Sequence, residues 1–582
     1  MLREAWGWIR QSGYSGRGWW FYPIPMSKQI NKVAINPASE LAKLRSRTLW
    51  QTISEAARDP LKCALVAADD AGGIQRLTYE RLLERAGNLS AGLASIGVRR
   101  GDRVVLWMTN TLEWVLSSLA IMRLGAAVVP INTFLKPIEV EYVIAQSGAR
   151  HLLMLDAFRK LRLPEMLGEI CPEFLCAKQP GFLQSNALPD LRNVVVFGRS
   201  GIRHESAFDF AALEALGARD ERARACAENM GRETCGSDLG MIKYTSGSTG
   251  FPKGVMLEQG GIVANGTLHS RRIGVGGADV YFSMMPFFHA GGSIWGLMTM
   301  MTNAGTLVFT EAFNPQLAID LIDAERATVW VSVLSKEVCA LAAQQGRQLR
   351  SVRIGDISSE VARQVLPNAT FTFRPFGLTE TYGPAAVTSP DDPLERRNTA
   401  CGRMLEGNEL RVVDPDTGLD VPPGATGEAW LRGNIMRGYW NNPEQTARAL
   451  TEDGWLRSED LVRIDDEGYV SYVGRLKLML KVGGENVSIE EVERVICSHE
   501  AVAACAVVGV ADERKREAVR AYVMVGARQA LQEQGLRAWL EPRLARFKMP
   551  REIIFVDGLP RLANGKLDRV ALSQWARQEM AS

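Results

Sequence analysis

The segment 243–255 concentrates the residue types that bind phosphate groups. Its hydroxyl side chains, glycines and second lysine are, in chain order, Thr245, Ser246, Gly247, Ser248, Thr249, Gly250, Lys253 and Gly254. Glycine lets backbone N–H groups approach an anion closely, hydroxyls donate hydrogen bonds, and a lysine adds a mobile positive charge. The segment therefore predicts a loop that binds a polyphosphate.

Two other loop classes do not fit this segment, and one simpler interpretation stays open. A Walker A loop needs Ser or Thr after its lysine, whereas Gly254 follows Lys253. The G-x-S-x-G elbow of a serine hydrolase is absent around Ser246 and Ser248. A flexible Ser/Gly turn between two strands is the simpler interpretation of so short a run.

From about Thr48 to Arg569 the chain resembles the adenylate-forming superfamily, which contains acyl-CoA synthetases, adenylation domains of peptide synthetases and firefly-type luciferases. Segments 243–255, 376–380, 454–460 and 559–569 carry the resemblance, and the chain is most like an acyl-CoA synthetase. The resemblance implies that ATP and a carboxylic acid form an acyl-adenylate and pyrophosphate. A thiol then displaces AMP, and no enzyme nucleophile is needed.

The segment Phe376-Gly377-Leu378-Thr379-Glu380 resembles a second motif of this superfamily. By that resemblance Phe376 stacks on adenine, Thr379 binds the α-phosphate and Glu380 holds Mg²⁺. A Thr-Glu pair by itself is typical of a helix cap. Its position after the phosphate loop favours the functional interpretation.

A third motif and the junction that follows it resemble the superfamily's ribose and hinge segments. Asp460 would accept hydrogen bonds from the ribose hydroxyls, since one carboxylate can accept two donors. Glu459 stands where the superfamily usually has glycine. The resemblance places Arg475 at the nucleotide and Lys477 at the hinge between a large and a small domain, with Leu478 in place of the usual acidic residue.

The C-terminal part resembles the segments that act in the two half-reactions. Lys566 would contact the substrate carboxylate and the α-phosphate, and would stabilise the charge that develops there. Together with Thr379 and Glu380 it forms the predicted catalytic set. Gly483 and Gly484 resemble the pair that lets the pantetheine arm of CoA pass the backbone, although a plain turn explains them equally well.

The segment 286–292 resembles the motif whose histidine borders the acid-binding tunnel. Apolar residues surround it, namely Met284, Met285, Phe287, Phe288 and Trp295. His289 is therefore equally interpretable as a binding residue or as a core histidine. We expect a hydrophobic acid, aliphatic, alicyclic or aryl. Gly355-Asp356-Ile357 stands where the superfamily has a Gly-Gly-Ala-Pro-like contact with adenine and the acid, and Arg374-Pro375 before Phe376 is also unusual and would alter the substrate-side wall.

Alternating helical and β-rich patterns predict the elements that position these residues. Runs such as 103–107 and 306–310, separated by helical segments, indicate an α/β fold with parallel sheets covered by helices. We expect a large domain over 48–476, with an antiparallel, barrel-like part at about 401–473, and a small mobile α/β domain over 477–582. Residues 1–47 form an extension that is disordered or precedes the true start, or a peripheral membrane anchor.

Composition excludes several other classes of function. The 582 residues are 46% hydrophobic with a net charge of +2, so no overall field attracts nucleic acid or an anionic membrane. Nine scattered cysteines favour reduced thiols and a cytoplasmic location. The sequence thus predicts an ATP-, Mg²⁺- and CoA-dependent carboxylic acid:CoA ligase with at most peripheral membrane contact, and it allows a homodimer. An acyl-AMP ligase that loads an external carrier protein and an inactive nucleotide-binding homologue are the alternatives.

Overall fold

The computed structural model describes residues 38–245, 252–331, 335–482, 485–512, 516–526, 530–544, 546, 548–562 and 565–581. Its strands are β1 (Cys63–Ala68), β2 (Ile74–Thr78), β3 (Arg103–Trp107), β4 (Ala127–Pro130), β5 (His151–Leu155), β6 (Ala157–Phe158), β7 (Leu161–Arg162), β8 (Asn193–Phe197), β9 (Phe208–Asp209), β10 (Leu239–Thr245), β11 (Lys253–Glu258), β12 (Val280–Ser283), β13 (Thr306–Thr310), β14 (Val329–Trp330), β15 (Ile354–Gly355), β16 (Pro375–Leu378), β17 (Gly383–Val387), β18 (Arg403–Met404), β19 (Glu409–Val413), β20 (Gly427–Arg432), β21 (Gly438–Tyr439), β22 (Leu456–Ile464), β23 (Val470–Arg475), β24 (Met479–Val482), β25 (Glu485–Ser488), β26 (Val502–Asp512), β27 (Arg516–Val525) and β28 (Glu552–Phe555).

The helices occur between these strands through most of the chain. They are α1 (Ala38–Arg45), α2 (Leu49–Ala56), α3 (Tyr79–Ser95), α4 (Leu112–Arg123), α5 (Pro137–Ser147), α6 (Leu163–Ile170), α7 (Glu173–Cys176), α8 (Phe210–Arg219), α9 (Glu221–Glu233), α10 (Gln259–Ile273), α11 (Thr299–Met301), α12 (Pro315–Ala324), α13 (Ser335–Gln344), α14 (Glu360–Val365), α15 (Leu394–Thr399), α16 (Pro443–Ala449), α17 (Ile489–Cys497), α18 (Glu533–Leu540) and α19 (Arg569–Ala581). A π-helical turn covers Gly291–Met298, and 3₁₀ turns cover Thr379–Thr381 and Leu476–Leu478.

Two largely parallel sheets form the body of the large domain. One has the order β15-β14-β12-β13-β1-β2, and the other has the order β21-β11-β10-β4-β3-β5-β8-β9. Strands such as β4 and β5 are buried along their whole length. Parallel strands that are covered on both faces need such continuous apolar runs, and helices α3, α4 and α10 provide part of the cover with their own buried faces.

The polypeptide after residue 370 builds antiparallel sheets, which the turn-rich sequence predicts only from about residue 401. Strands β16, β17 and β18 form a three-stranded sheet, and β19, β20, β22 and β23 form a four-stranded antiparallel sheet. The nucleotide motifs lie on these strands. Phe376 is in β16, Asp460 is in β22 and Arg475 ends β23.

The last hundred residues form a separate small α/β unit. Its sheet has the order β25-β24-β27-β26, with β28 paired to β27, and helices α17, α18 and α19 accompany it. Its buried apolar residues form their own clusters, distinct from the core of the large domain. Tyr472 on β23 donates a hydrogen bond to Glu490 on α17 at 2.9 Å and links the two units.

Part of the predicted N-terminal extension is folded onto the large domain. Residues 1–37 lie outside the described part, but residues 38–47 include α1, whose Leu41 and Leu44 are buried. Arg45 pairs with Glu258 at 2.5 Å and donates to the Gly433 carbonyl at 2.9 Å. The disorder predicted for the extension therefore does not hold for α1. Within the described part of the chain, every helix is too short or too polar to cross a lipid bilayer.

Candidate active site

The hairpin of β10 and β11 carries the two ends of the predicted phosphate loop. Thr245 ends β10 and pairs in register with Lys253, which begins β11. The loop residues predicted to bind phosphate, Ser246, Gly247, Ser248, Thr249 and Gly250, lie outside the described residues. The hairpin brings the hydroxyl at one end of the loop and the cation at the other end close together.

A cavity of about 550 Å³ lies at this end of the hairpin. Thr245, Lys253 and Glu380 all line it, as do Leu378 and Arg475. Its other charged lining residues are Arg448, Arg457, Glu428 and Glu459. The volume falls in the range of small-molecule sites, roughly 300–1,000 Å³. Four predicted site residues, Thr245, Lys253, Glu380 and Arg475, thus face one cavity large enough for a nucleotide, whereas Phe376, Thr379 and Asp460 are not among its lining residues.

Tyr439 connects the cation and the carboxylate of this cavity. Its hydroxyl donates to Glu380 Oε1 at 3.0 Å, and Lys253 Nζ lies 5.1 Å from its ring centre. Lys253 Nζ also donates to Gln445 Oε1 at 2.9 Å. Burial and the negative charge of Glu380 raise the pKa of Tyr439. The phenol therefore stays protonated and keeps its donor role.

Tyr382 holds the short turn that carries Thr379 and Glu380. Its φ of 63° lies in the left-handed region, which residues other than glycine rarely adopt. The side chain is fully buried, and its hydroxyl accepts a hydrogen bond from the Glu258 N–H at 3.0 Å. A Cβ on Gly261 would stand 2.1 Å from the Tyr382 ring. Strained backbone of this kind persists where packing determines it, so Tyr382 positions the turn against the hairpin.

Asp460 and Arg475 face each other across β22 and β23. Arg475 Nε donates to Asp460 Oδ1 at 2.8 Å. Burial raises the pKa of Asp460 to about 6, against the opposing effect of the Arg475 charge. Because Arg475 lines the cavity, this pair places the predicted ribose-binding carboxylate beside the nucleotide space.

The backbone conformation at Glu459 explains why the superfamily usually has glycine at this position. Its φ is 58°, so the backbone there is left-handed, and its N–H donates to Glu428 Oε1 at 2.9 Å. Glycine adopts this conformation without steric cost, whereas glutamate does not. This chain keeps the turn and adds a carboxylate to the cavity lining.

Phe376 lies in β16, between the nucleotide cavity and a second cavity that Pro375 lines. It is 4% exposed, and its ring centre is 6.4 Å from that of Tyr472 with planes inclined by 33°. Pro375, one residue before it, lines a second cavity, and Leu378 lines the nucleotide cavity. Phe376 is not among the residues that line either cavity, so the adenine stacking predicted for it stays a prediction.

The predicted hinge and pantetheine segments are only partly described. Lys477 lies in the 3₁₀ turn Leu476–Leu478, directly after β23, and Leu478 lines the nucleotide cavity. Gly483 and Gly484 lie outside the described residues. The turn therefore connects the two domains at the edge of the cavity, where a hinge was predicted.

The charges of two lysines act on the imidazole of His289. Burial, together with the positive charges of Lys243 and Lys566, lowers its pKa to about 4. Its ring packs against Phe288, with ring centres 4.6 Å apart. His289 is therefore neutral at neutral pH. The charge of Lys566, the predicted catalytic lysine of the small domain, thus acts on a residue of the predicted acid-binding motif.

Lys243 is a buried lysine to which none of the sequence motifs gives a role in the site. It lies on β10, and its Nζ donates to the Phe288 carbonyl at 3.1 Å and to the Phe287 carbonyl at 3.4 Å. Among the described residues no carboxylate pairs with it, and burial lowers its pKa to about 7. Its hydrogen bonds hold the segment that carries His289.

A second cavity, of about 510 Å³, lies on the other side of β16. Its lining includes Met285, Gly291 and Trp295, which belong to or flank the predicted acid-binding motif. Asp356 and Ile357 of the segment that departs from the superfamily pattern also line it. Most of these side chains are apolar, so this cavity fits the hydrophobic acid that was predicted.

Two family profiles match the chain. The AMP-binding enzyme profile matches residues 54–440, and the AMP-binding enzyme C-terminal domain profile matches residues 491–566. The chain belongs to the AMP-binding enzyme family. The two matched segments agree with the large and small units of the fold.

Two curated enzymes that resemble this chain are named as an acyl-CoA synthetase and an acyl-CoA ligase. The putative acyl-CoA synthetase YngI of Bacillus subtilis is 29% identical over 510 residues, which cover 86% of this chain and 92% of that protein. The mitochondrial medium-chain acyl-CoA ligase ACSF2 of Mus musculus is 30% identical over 524 residues, covering 87% and 84%. ATP-bound MatB from Rhodopseudomonas palustris superposes with a TM-score of 0.72 at 25% identity, covering 91% of this chain and 99% of MatB.

These similarities confirm the predicted fold and the predicted AMP-forming acid:CoA ligase class. Ligases of this class use ATP, a carboxylic acid and CoA. The ACSF2 relative is named as mitochondrial, so the cytoplasmic location stays a prediction, as do the homodimer and peripheral membrane contact. The domain boundaries and the roles of individual residues also stay predictions.

The nucleotide cavity of this AMP-binding enzyme suits a magnesium ion that is carried by the substrate. Among the described residues no group of three His, Cys, Asp or Glu side chains is arranged to hold a metal. Mg²⁺ is commonly held by one or two carboxylates together with substrate phosphates. Glu380 offers such a carboxylate, with Oε1 already bonded to Tyr439, so the residues present fit the predicted ion.

Proposed function

We propose that this acid:CoA ligase activates a hydrophobic carboxylic acid of medium size, with Lys566 as its catalytic lysine. The observation that carries the proposal is the position of β16 between two cavities. Pro375 lines the apolar cavity and Leu378 lines the nucleotide cavity. An acid in one cavity and ATP in the other would meet at this strand. The name of the medium-chain relative supports the size class.

In the first half-reaction a carboxylate oxygen attacks the α-phosphorus of ATP, and pyrophosphate leaves. The protein contributes proximity and charge stabilisation rather than a nucleophile. Lys253 and Thr245 would hold the phosphates, Thr379 would contact the α-phosphate, and Glu380 would hold Mg²⁺, which neutralises phosphate charge. Asp460 would bind the ribose.

In the second half-reaction the CoA sulfur attacks the acyl carbonyl carbon, and AMP leaves. We propose that the small domain turns about Lys477 between the two steps. Lys566 would act in the first orientation, consistent with its electrostatic effect on His289. The neutral His289 would border the acid without adding a charge. The reduced cysteines, all of which are free thiols, support the proposed cytoplasmic location.

Replacement of Lys566 by alanine tests the assignment. ATP–pyrophosphate exchange should fall by about a hundredfold or more, in the range found for groups that stabilise transition-state charge. Thioester formation from supplied acyl-adenylate and CoA should be retained. Lys160→Ala, an exposed lysine of the large domain, is the matched control and should change neither reaction.

Equal loss of both half-reactions in Lys566→Ala would contradict the role of Lys566. The wild-type enzyme should also be assayed with a panel of acids, with and without CoA. Exchange without thioester formation would favour a carrier-protein acceptor. Nucleotide binding without exchange for any acid would favour the inactive homologue.

A further inference from the structure

Asn110 joins the two large sheets next to the predicted acid-binding motif. It is buried and lies three residues after β3. Its Nδ2 donates to the Met285 carbonyl at 3.0 Å and to the Thr310 carbonyl at 3.3 Å, and its Oδ1 accepts from the Phe287 N–H at 2.8 Å. Because β3 belongs to one sheet, whereas β12 and β13 belong to the other, this amide fixes the motif segment against both sheets.

Lys243 on β10 holds the next residues of the same segment. Its Nζ donates to the Phe288 carbonyl at 3.1 Å and to the Phe287 carbonyl at 3.4 Å. Phe287 is therefore bonded at its N–H by Asn110 and at its carbonyl by Lys243. Its ring packs against that of Trp114, with ring centres 5.1 Å apart. Backbone and side chain of Phe287 are thus both held.

The segment that these residues hold contacts the wall of the acid cavity. Met285 lines that cavity, as do Gly291 and Trp295 of the π-helical turn. A Cβ on Gly292 would stand 2.4 Å from the Met285 carbonyl oxygen, and a Cβ on Gly291 would stand 3.1 Å from Met285 Cε. The turn therefore packs directly on the backbone that Asn110 holds, so a shift at Met285 would move the wall.

Neither Asn110 nor Lys243 is among the lining residues of the acid cavity. Both residues are buried, and an amide or an amine is costly to bury without hydrogen bonds. Hydrogen-bonded polar groups in a core make it rigid and select one arrangement of the backbone. The two side chains can therefore affect a bound acid through the segment that they hold rather than by direct contact.

We propose that Asn110 and Lys243 are positioning residues for acid binding, which hold residues 285–288 and with them the wall of the acid cavity. A displacement of about 1 Å in groups that position a substrate can cost about a hundredfold in rate. This inference rests on the proposed function, in which the apolar cavity binds the acid.

The test measures CoA-dependent AMP release with straight-chain acids from hexanoic to dodecanoic acid. Asn110→Leu and Lys243→Met remove the hydrogen bonds to the segment. Each should raise the KM for the best acid by about tenfold and leave the KM for ATP within about twofold of the wild type. Lys243→Gln keeps an amide donor and should recover part of the loss.

Asn193→Leu is the matched control. Asn193 is also buried, and its Nδ2 donates to the Ile96 carbonyl at 2.8 Å, but it is not among the lining residues of either cavity. This variant should lower the melting temperature and leave both KM values unchanged. Circular dichroism melts check that the variants fold, and Lys243→Met decides the question where Asn110→Leu does not fold.

An unchanged KM for the acid in either folded variant would overturn the inference. So would equal increases in the KM for the acid and the KM for ATP, or the same increase in the KM for the acid in Asn193→Leu. Absence of AMP release by the wild type with every acid would instead contradict the proposed function.

Discussion

Replacing the buried Lys243 by methionine should remove a pH-dependent cost from the native state. Burial lowers the pKa of Lys243 from 10.5 to about 7. A tenfold change in proton affinity corresponds to about 1.4 kcal/mol, so protonated Lys243 costs the folded state about 5 kcal/mol at pH well below 7. Because the unfolded chain binds the proton more tightly, this cost falls as the pH rises from about 7 towards 10.5.

The magnitude in an accessible range follows from the same two values. Between about pH 7.5 and about pH 9 the unfolded state holds nearly one proton more at this lysine, so the free energy of unfolding of the wild type should rise by about 2 kcal/mol from this group. Methionine fills a similar volume and carries no charge. Lys243→Met should therefore lack this increment.

The change in absolute stability is less diagnostic than its pH dependence. Methionine leaves the Phe287 and Phe288 carbonyls without the lysine donor, which costs about 1–3 kcal/mol for each unsatisfied group. This loss opposes the gain from removing the charge. This loss does not depend on pH. The pH dependence of the difference in unfolding free energy between wild type and variant therefore reports the titration of Lys243 alone.

Urea unfolding followed by tryptophan fluorescence provides the measurement, since Trp107, Trp114 and Trp330 are fully buried in the large domain. Lys160→Met, at an exposed site, should run parallel to the wild type at every pH. Parallel curves for the wild type and Lys243→Met between about pH 7.5 and about pH 9 would refute the reasoning. They would mean that Lys243 keeps its ordinary proton affinity in the folded protein.

Two backbone substitutions test the geometry of the site. Glu459→Gly should raise the free energy of unfolding by about 0.5 kcal/mol, because relief of the left-handed strain at φ 58° exceeds the entropic cost of glycine; a loss of stability in urea unfolding would contradict this. Gly383→Ala should lower kcat/KM for the acid by about tenfold, since a Cβ there would stand 1.9 Å from Trp295 Nε1 and displace a ring that lines the acid cavity. An unchanged KM for the acid in a folded variant would show that Trp295 does not shape the acid site.

Much of the fold could be predicted because buried parallel strands appear in the sequence as continuous apolar runs. The runs 103–107, 151–155 and 193–197 coincide with β3, β5 and β8, and the helical pattern from Tyr79 extends to Ser95 in α3. Turn residues after about 401 likewise indicated the antiparallel sheets. The local sequence pattern is enough to predict these elements, because a buried face of a strand or helix requires apolar residues at the spacing of that element.

The supporting residues of the site could not be read in the same way. Tyr382 adopts φ 63° because of its packing against Gly261, and no property of tyrosine predicts that conformation. The contact of Tyr439 with Glu380 joins residues far apart in the sequence. For Lys243, only the folded structure shows that its Nζ meets carbonyl groups rather than water. These are tertiary properties, whereas motif spacing identifies residues only by type and order.

The two sides of β16 differ in how their charges are balanced, and this difference assigns separate tasks to them. On the nucleotide side Asp460 is paired with Arg475, and Glu380 accepts a hydrogen bond from Tyr439. Such partners hold side chains in place before ligand arrives, which reduces the reorganisation that binding requires.

On the acid side no carboxylate of the described chain pairs with Arg374 or Arg397, which line that cavity. An incoming carboxylate would therefore supply the missing negative charge, and its binding should stabilise the cavity that it enters. Specificity for the acid would then arise from the cost of leaving these cations without a partner. A neutral ligand of the same shape cannot relieve that cost.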